Sequence, residues 1–323
     1  MLRSFFDRLS SNLFEPPAPN TIGTKIYYRL FELFTVTYTI IYAWQWGFYT
    51  LRLSDVVLPL GLAQYINVEI FLGTYFPLIN AGLITLFVVM ALFFDRSKWL
   101  YGVAFILFHL HYVTRYSQGE IPHSQNMVGF CLLGLGIGSV FFKEKRHSLQ
   151  FGLGFVVFFL GLGYTTAAYS KLIATGITWV DGNHLWLWMA EKSVDVLSDE
   201  GAFSYNWIQE IALQNRLFAT LFLTMGLLTE FFAFLVWWKP FRTYMFIAII
   251  GLHMGIHSTM NILFLSYTIG LFIIGLPWYK VINWTIDHYQ INVEGYISRL
   301  KEIRNKVQLF TTHHSRRDIS HDL

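Results

Sequence analysis

The sequence predicts an all-α fold: a polytopic membrane helix bundle of about eight transmembrane helices, with interfacial helices on its outer side. Three observations carry this. Apolar residues fill 54% of the 323 positions, charged ones only 13%, and mean hydropathy is +0.46, so charges are too few to cover a soluble globule of this size. The apolar residues gather into stretches of roughly 20, the length a helix needs to cross a bilayer. Nothing alternates with the period of a barrel strand, and backbone groups in lipid are satisfied only within helices or closed barrels.

The eight stretches run Ile26 to Tyr49, Gly73 to Phe94, Trp99 to Tyr116, Asn126 to Phe142, Ser148 to Ser170, Leu217 to Trp238, Phe241 to Met260, and Asn261 to Trp278. The fourth is short, and the last two are separated by almost nothing. Between Leu51 and Leu72, Pro59 and Gly61 interrupt an apolar run, which predicts a re-entrant or interfacial piece. Residues 1–25 form an N-terminal segment and carry no basic n-region leading into a short apolar core, so no cleaved signal peptide is expected. Residues 26–278 form the bundle, and 279–323 a basic tail. Apolar residues at Val293, Ile297, Leu300, Ile303, Val307 and Phe310 give that tail a helical spacing, suited to a helix resting on anionic headgroups.

Orientation follows from the short loops. Arg96 and Lys98 follow the second stretch; Lys143, Lys145 and Arg146 the fourth; Lys239 and Arg242 the sixth. This side is read as cytoplasmic and holds both termini. The long connection 172–215 is acidic and faces outward or into a lumen. Its aromatic segments Leu185 to Met189 and Tyr205 to Ile208 predict interfacial helices roofing the bundle. A net charge of +3 spread over loops and tail gives nucleic-acid binding no support. The single cysteine, Cys131, allows neither a disulfide framework nor a thiolate metal site.

With that orientation, polar residues gather on the outer side: His109, His111, Arg115, Glu120, His123, Tyr164, Tyr169, Lys171, His253, His257 and Asn261. Glu32 and Glu230 fall in the inner parts of the first and sixth stretches. They are expected to pair with Arg29, and with Arg242 or Lys239, because an unpaired charge is costly in hydrocarbon. His253 and His257, four apart, share one helix face. No third ligand has matching spacing, so no metal site is expected. Lys171 ends a long apolar run, where a lysine either snorkels to the headgroups or works. If it works, desolvation removes its preference for the charged form, and the neutral amine can take a proton. Polar groups from at least three stretches converging in an apolar setting are what a binding or catalytic pocket requires. A proton-coupled transporter would need a polar path to both sides, and the separation between the outer cluster and inner Glu32 and Glu230 argues against one.

Tyr169-Ser170-Lys171-Leu172, followed by Trp179-Val180-Asp181-Gly182, resembles the lysine-leucine and tryptophan-x-x-glycine pattern of the vitamin K-dependent gamma-carboxylases and their bacterial relatives, the horizontally transferred transmembrane (HTTM) domain proteins. The order of His123-Ser124, Glu230, Pro240-Phe241-Arg242, His253 with His257, and Met260-Asn261 is also similar, over most of residues 20 to 280. The resemblance implies a membrane enzyme that oxygenates a reduced, vitamin K-like quinone, or another isoprenoid. Oxygen and carbon dioxide would be co-substrates, and the chemistry that of a carboxylase, a carbon–carbon lyase, acting on a peptide or protein acceptor. It implies Lys171 as the base for the quinol, His123 as the assisting histidine, and His253 near the quinone. His257, Asn261, Arg115, Tyr169 and Trp179, at the same depth, are expected to complete the quinone-binding set. The chain ends about forty-five residues after Trp278, so the resemblance is to the membrane module alone, and propeptide-directed carboxylation is not expected. The alternative is a non-enzymatic lipid- or quinone-binding protein, or an accessory factor in peptide maturation, with the same cluster orienting a headgroup.

Overall fold

The computed structural model describes residues 2–17, 19–53, 57–120, 123–290 and 295, without the side chains of Leu2, His123, Ser124 and Asp199. Among these the regular elements are all helical: α1 (Leu2–Phe14), α2 (Ile22–Thr50), α3 (Phe76–Phe93), α4 (Leu100–Ser117), α5 (His123–Phe141), α6 (Lys145–Thr175), α7 (Gly182–Glu200), α8 (Trp207–Gln214), α9 (Arg216–Phe231), α10 (Lys239–Met260), α11 (Leu265–Gly275) and α12 (Trp278–His288). Three stretches, Phe76–Phe93, Lys145–Val180 and Arg216–Trp237, are long and apolar enough to cross a membrane, and a fourth if α11 and α12 count as one broken span. The other predicted stretches coincide with helices. Of these α5 is apolar but short, while α2, α4 and α10 carry Thr, Tyr, His or Trp among their apolar residues. The interrupted segment after Leu51 holds two 3₁₀ turns, Gly61–Gln64 and Glu69–Phe71.

The chain forms two compact units, residues 1–18 with 27–277, and residues 19–26 with 278–323. In the second, Asn283 ties the chain together by donating to Thr21 Oγ1 (2.8 Å) and accepting from the Gly23 amide (3.0 Å). The tail residues from Ile297 to Phe310, like Val293, lie outside the described residues.

In the first unit, glycines set how closely α4, α5 and α6 approach. The run Gly134-Leu135-Gly136-Ile137-Gly138 puts Gly134 and Gly138 on one face of α5 and Gly136 on the opposite one. A Cβ at Gly138 would lie 2.5 Å from the Ser148 carbonyl oxygen of α6, and one at Gly136 would lie 2.7 Å from the Gly102 backbone of α4. Small residues at both interfaces are the price of backbone-to-backbone packing in an apolar bundle. Gly136→Ala is therefore expected to destabilise by about 1–3 kcal/mol through overpacking. Gly82→Ala in α3, where a Cβ meets open space, should not. The thermal midpoints of the two variants in detergent check this.

The N-terminal segment contains a helix the sequence reading did not predict. Leu13 is buried, its carbonyl accepts from Gln150 Nε2 at 2.7 Å, and Phe14 stacks on Phe151 at 5.3 Å between centroids. Arg242 Nη2 donates to the Asn12 carbonyl (2.8 Å), which joins α1 to the start of α10.

The connection 172–215 folds into helices with their own small core. Leu185 and Met189 of α7, Ala212 of α8, and Ala219 and Leu223 of α9 are buried together, with Trp179, Trp186, Trp188, Phe218 and Phe222 packed around them. Caps are local: Asp181 accepts from the Asn183 amide at 3.0 Å, Asn206 and Gln209 form a reciprocal capping box on α8, and Gly201 ends α7 at φ 73°. Asp181 also pairs with Arg216 at 2.7 Å, fixing the start of α9. The Asn183 amide, then the Arg216 guanidinium, hold the Asp181 carboxyl below its ordinary value of 3.8. A lowered folded value means that the contribution is complete above that ordinary value and is lost as pH falls through the folded one. Amide protection at the start of α7, corrected for intrinsic exchange, is expected to fall only below about pH 3.8, and Asp181→Ala to show the weakened protection at every pH.

Candidate functional site

Lys171 sits one turn before the end of α6. Gly176, at φ 62°, stops the helix, and a 3₁₀ turn, Gly176–Val180, brings Trp179 to the lysine, with Nζ 4.5 Å from the ring centroid. The ammonium donates to Glu230 Oε2 of α9. With the lysine side chain 28% exposed and the glutamate 11%, the amine is turned to an internal carboxylate and an aromatic face.

This pair corrects the predicted placement of Glu230. Of its expected partners, Arg242 is engaged elsewhere: Nε donates to the Val236 carbonyl and Nη2 to the Asn12 carbonyl, each at 2.8 Å. The reason is register. The Asp181–Arg216 clamp pins the top of α9, and Glu230 lies fourteen residues further on, about 21 Å of helix. Lys171 lies ten residues before Asp181, beyond the 3₁₀ turn and the last turn of α6, and meets Glu230 from there. Glu230 therefore belongs with Lys171, and the predicted separation between the two does not exist. Glu32, by contrast, pairs with Arg29 as expected (2.6 Å) and also accepts from Tyr101 (2.9 Å) and Lys98.

Lys171 and Glu230 line two cavities. One, of about 560 Å³, is enclosed by α5, α6, α9, α10 and α11 and is mainly apolar, with Asn126, Tyr164, His253 and Tyr267 as its other polar groups. The second, of about 370 Å³, lies toward the roof, among Trp179, Trp188, Phe222, Glu191 and Lys192. In the first, Tyr164 bonds both His253 Nε2 and Tyr267. Phe264 meets the His253 ring edge-on at 5.2 Å and Tyr267 packs at 5.0 Å. Among the described residues, His253 Nδ1 is buried without a hydrogen-bond partner.

Lys171, Trp179 and His253 thus come together, and the structure adds Glu230 and Tyr267. The other predicted residues lie apart. His257, one turn beyond His253, lines neither cavity, and its Nδ1 is buried with no hydrogen-bond partner among the described residues. Asn261 is the exposed left-handed cap of α10, at φ 53°. Tyr169 is half exposed and packs on Phe231 at 5.3 Å. Arg115 belongs to a separate cluster: it pairs with Glu120 through Nε at 2.7 Å and lies over Trp46 and Tyr49 at 5.2 and 5.3 Å. His109 stacks between Phe105 and Tyr112, and His111 is buried against Trp46 and Phe71. His123 opens α5, and its side chain lies outside the described residues. Glu230 was visible in the sequence as an acid in an apolar stretch, whereas Tyr267 gave no signal of its own.

Comparison of the chain with protein-family models, with curated proteins and with solved structures finds no match.

Proposed function

We propose that this chain is a membrane enzyme resembling the gamma-carboxylase membrane module, which removes a proton from a reduced quinone or other isoprenoid quinol in the cavity beside Lys171. In this reading eight helical stretches cross the bilayer, both termini are cytoplasmic, and the Lys171 cavity opens to the extracytoplasmic or lumenal side. The observation that carries it is the Lys171–Glu230 pair on the wall of a mainly apolar cavity whose other polar residues are Asn126, Tyr164, His253 and Tyr267. A volume of about 560 Å³ falls in the range of small-molecule sites, and apolar walls with few polar groups suit a ring bearing hydroxyls and a hydrocarbon tail.

A reduced quinone would supply the electrons for oxygenation and, in the gamma-carboxylase resemblance, the strong base that precedes addition of carbon dioxide to an acceptor. The residues of this chain handle the first proton. To act as base, the Lys171 ammonium would first pass its proton to Glu230, its hydrogen-bond partner, and the amine would then take the hydroxyl proton of the bound ring. The ammonium so formed stays beside the oxygen it has deprotonated and offsets its charge. Trp179 stabilises the same ammonium through its ring face. In this reading His253, held by Tyr164, contributes to the polar part of the same wall.

One observation favours the non-enzymatic alternative: Lys171 is already satisfied by Glu230 and Trp179, as in a site that only orients a headgroup. Incubating the purified protein with a vitamin K-type hydroquinone under oxygen separates the two. Mass spectrometry is expected to find an oxygenated quinone product. Retention of the quinone without conversion would favour the binding protein, and neither retention nor conversion would remove both readings.

A further inference from the structure

A third cavity lies at the far end of the bundle from Lys171, where α4 and α6 begin and α5 ends. It measures about 290 Å³ and is lined by Asp95, Lys98, Tyr101, Leu135, Ser139, Phe142, Lys143, Lys145, Ser148 and Leu149. Two of its lysines stand where helix electrostatics disfavour cations: Lys98 just precedes α4 and Lys145 is the first residue of α6. Carboxylates offset only part of this charge. Lys98 and Arg29 share Glu32, and Lys145 pairs with exposed Asp95 at 2.9 Å. Lys143 has no ion-pair partner among the described residues, and the neighbouring acid, Glu144, is taken by His147 at 2.8 Å. Of the charged residues that line the cavity, three are lysines and one, Asp95, is a carboxylate. Ser148, nine-tenths buried, lines the same cavity with a hydroxyl that makes no hydrogen bond among the described residues. The neighbouring surface is apolar: Phe93, Phe94, Trp99, Val140 and Phe141 are all exposed.

We propose that this cavity binds the phosphate of an acidic phospholipid, with Lys143, Lys145 and Lys98 around the phosphate and Ser148 donating to it. A phosphate completes the surplus charge and the unpaired hydroxyl together, and helix N-termini favour an anion at that place. The exposed aromatic and aliphatic side chains alongside give acyl chains a surface, which free phosphate would not use. The inference does not depend on what happens at Lys171.

Native mass spectrometry of the full chain in neutral detergent, titrated separately with dioleoylphosphatidylglycerol, dioleoylphosphatidylcholine and inorganic phosphate, tests it. Wild type is expected to retain one phosphatidylglycerol in preference to phosphatidylcholine. Lys143→Gln/Lys145→Gln, at exposed positions whose loss should leave the fold intact, is expected to weaken this about thirtyfold, on the order of fivefold for each lysine. Arg96→Gln, which removes a charge at the same end but outside the cavity, is the control and should change retention little. Equal retention by the double variant would overturn the proposal, as would an equal loss in Arg96→Gln. Binding of inorganic phosphate without preference for the acidic lipid would assign the cavity to a soluble anion and overturn the lipid as its occupant.

Discussion

Lys171→Met is expected to abolish quinol oxygenation, by a factor of about 10²–10⁴ if the amine is a general base, and to lower stability at the same time. The stability loss arises because Glu230, 11% exposed, loses its ion-pair partner; breaking a buried pair from one side costs about 3–5 kcal/mol. The two effects come apart in the double variant Lys171→Met/Glu230→Leu. Replacing both charges with apolar groups of similar volume should restore stability to the wild-type level or above it, yet leave oxygenation absent. Turnover measured as oxygenated quinone, beside a thermal midpoint in the same detergent, gives both readouts. Substantial turnover by Lys171→Met would end the case for the lysine as base. Failure of the double variant to recover stability would show that the pair is not energetically coupled.

The largest effect on folding alone is expected at Glu32. Its carboxylate is fully buried and accepts from Arg29, Lys98 and Tyr101. Glu32→Ala leaves Lys98, 14% exposed, without its buried partner and should cost about 3–5 kcal/mol. Arg29, 39% exposed, can turn to solvent and adds little to that loss. Adding Lys98→Met to Glu32→Ala should recover much of the stability, because the stranded ammonium is then gone. An unchanged unfolding midpoint for Glu32→Ala would mean that the cluster contributes nothing to the fold.

Helix identity was the most legible part of this chain, because apolar stretches near 20 residues permit little else. Positions inside helices were legible wherever the partner lay three or four residues away: Arg29 and Glu32 pair as their spacing requires. Lys171 and Trp179 lie eight residues apart across the end of α6, and the 3₁₀ turn there brings them into contact. Misplacements came from rotation and register. Tyr169 lies two residues from Lys171, about 200° around the helix axis, so residues adjacent in sequence face opposite ways. Asn261 follows His257 at the same interval of four that separates His257 from His253, but the left-handed turn there ends the helix, and periodicity no longer applies. Glu230 was misplaced because counting depth along a single stretch ignores how neighbouring helices are clamped. Its height is set by Asp181 and Arg216, a contact between residues thirty-five apart.

The pair on α6 and α9 is also a partition. Lys171 and Glu230 belong to the lining of both the larger cavity and the one beneath the roof, so their side chains are masonry as well as chemistry. An alanine at Lys171 would remove an amine and open a doorway at once, joining two rooms into a single hall whose occupant no longer has a fixed seat. Methionine keeps nearly the length of the lysine and leaves the wall standing. Loss of turnover in that variant then speaks for the missing proton acceptor, and the gap between the methionine and alanine variants measures what the wall itself is worth.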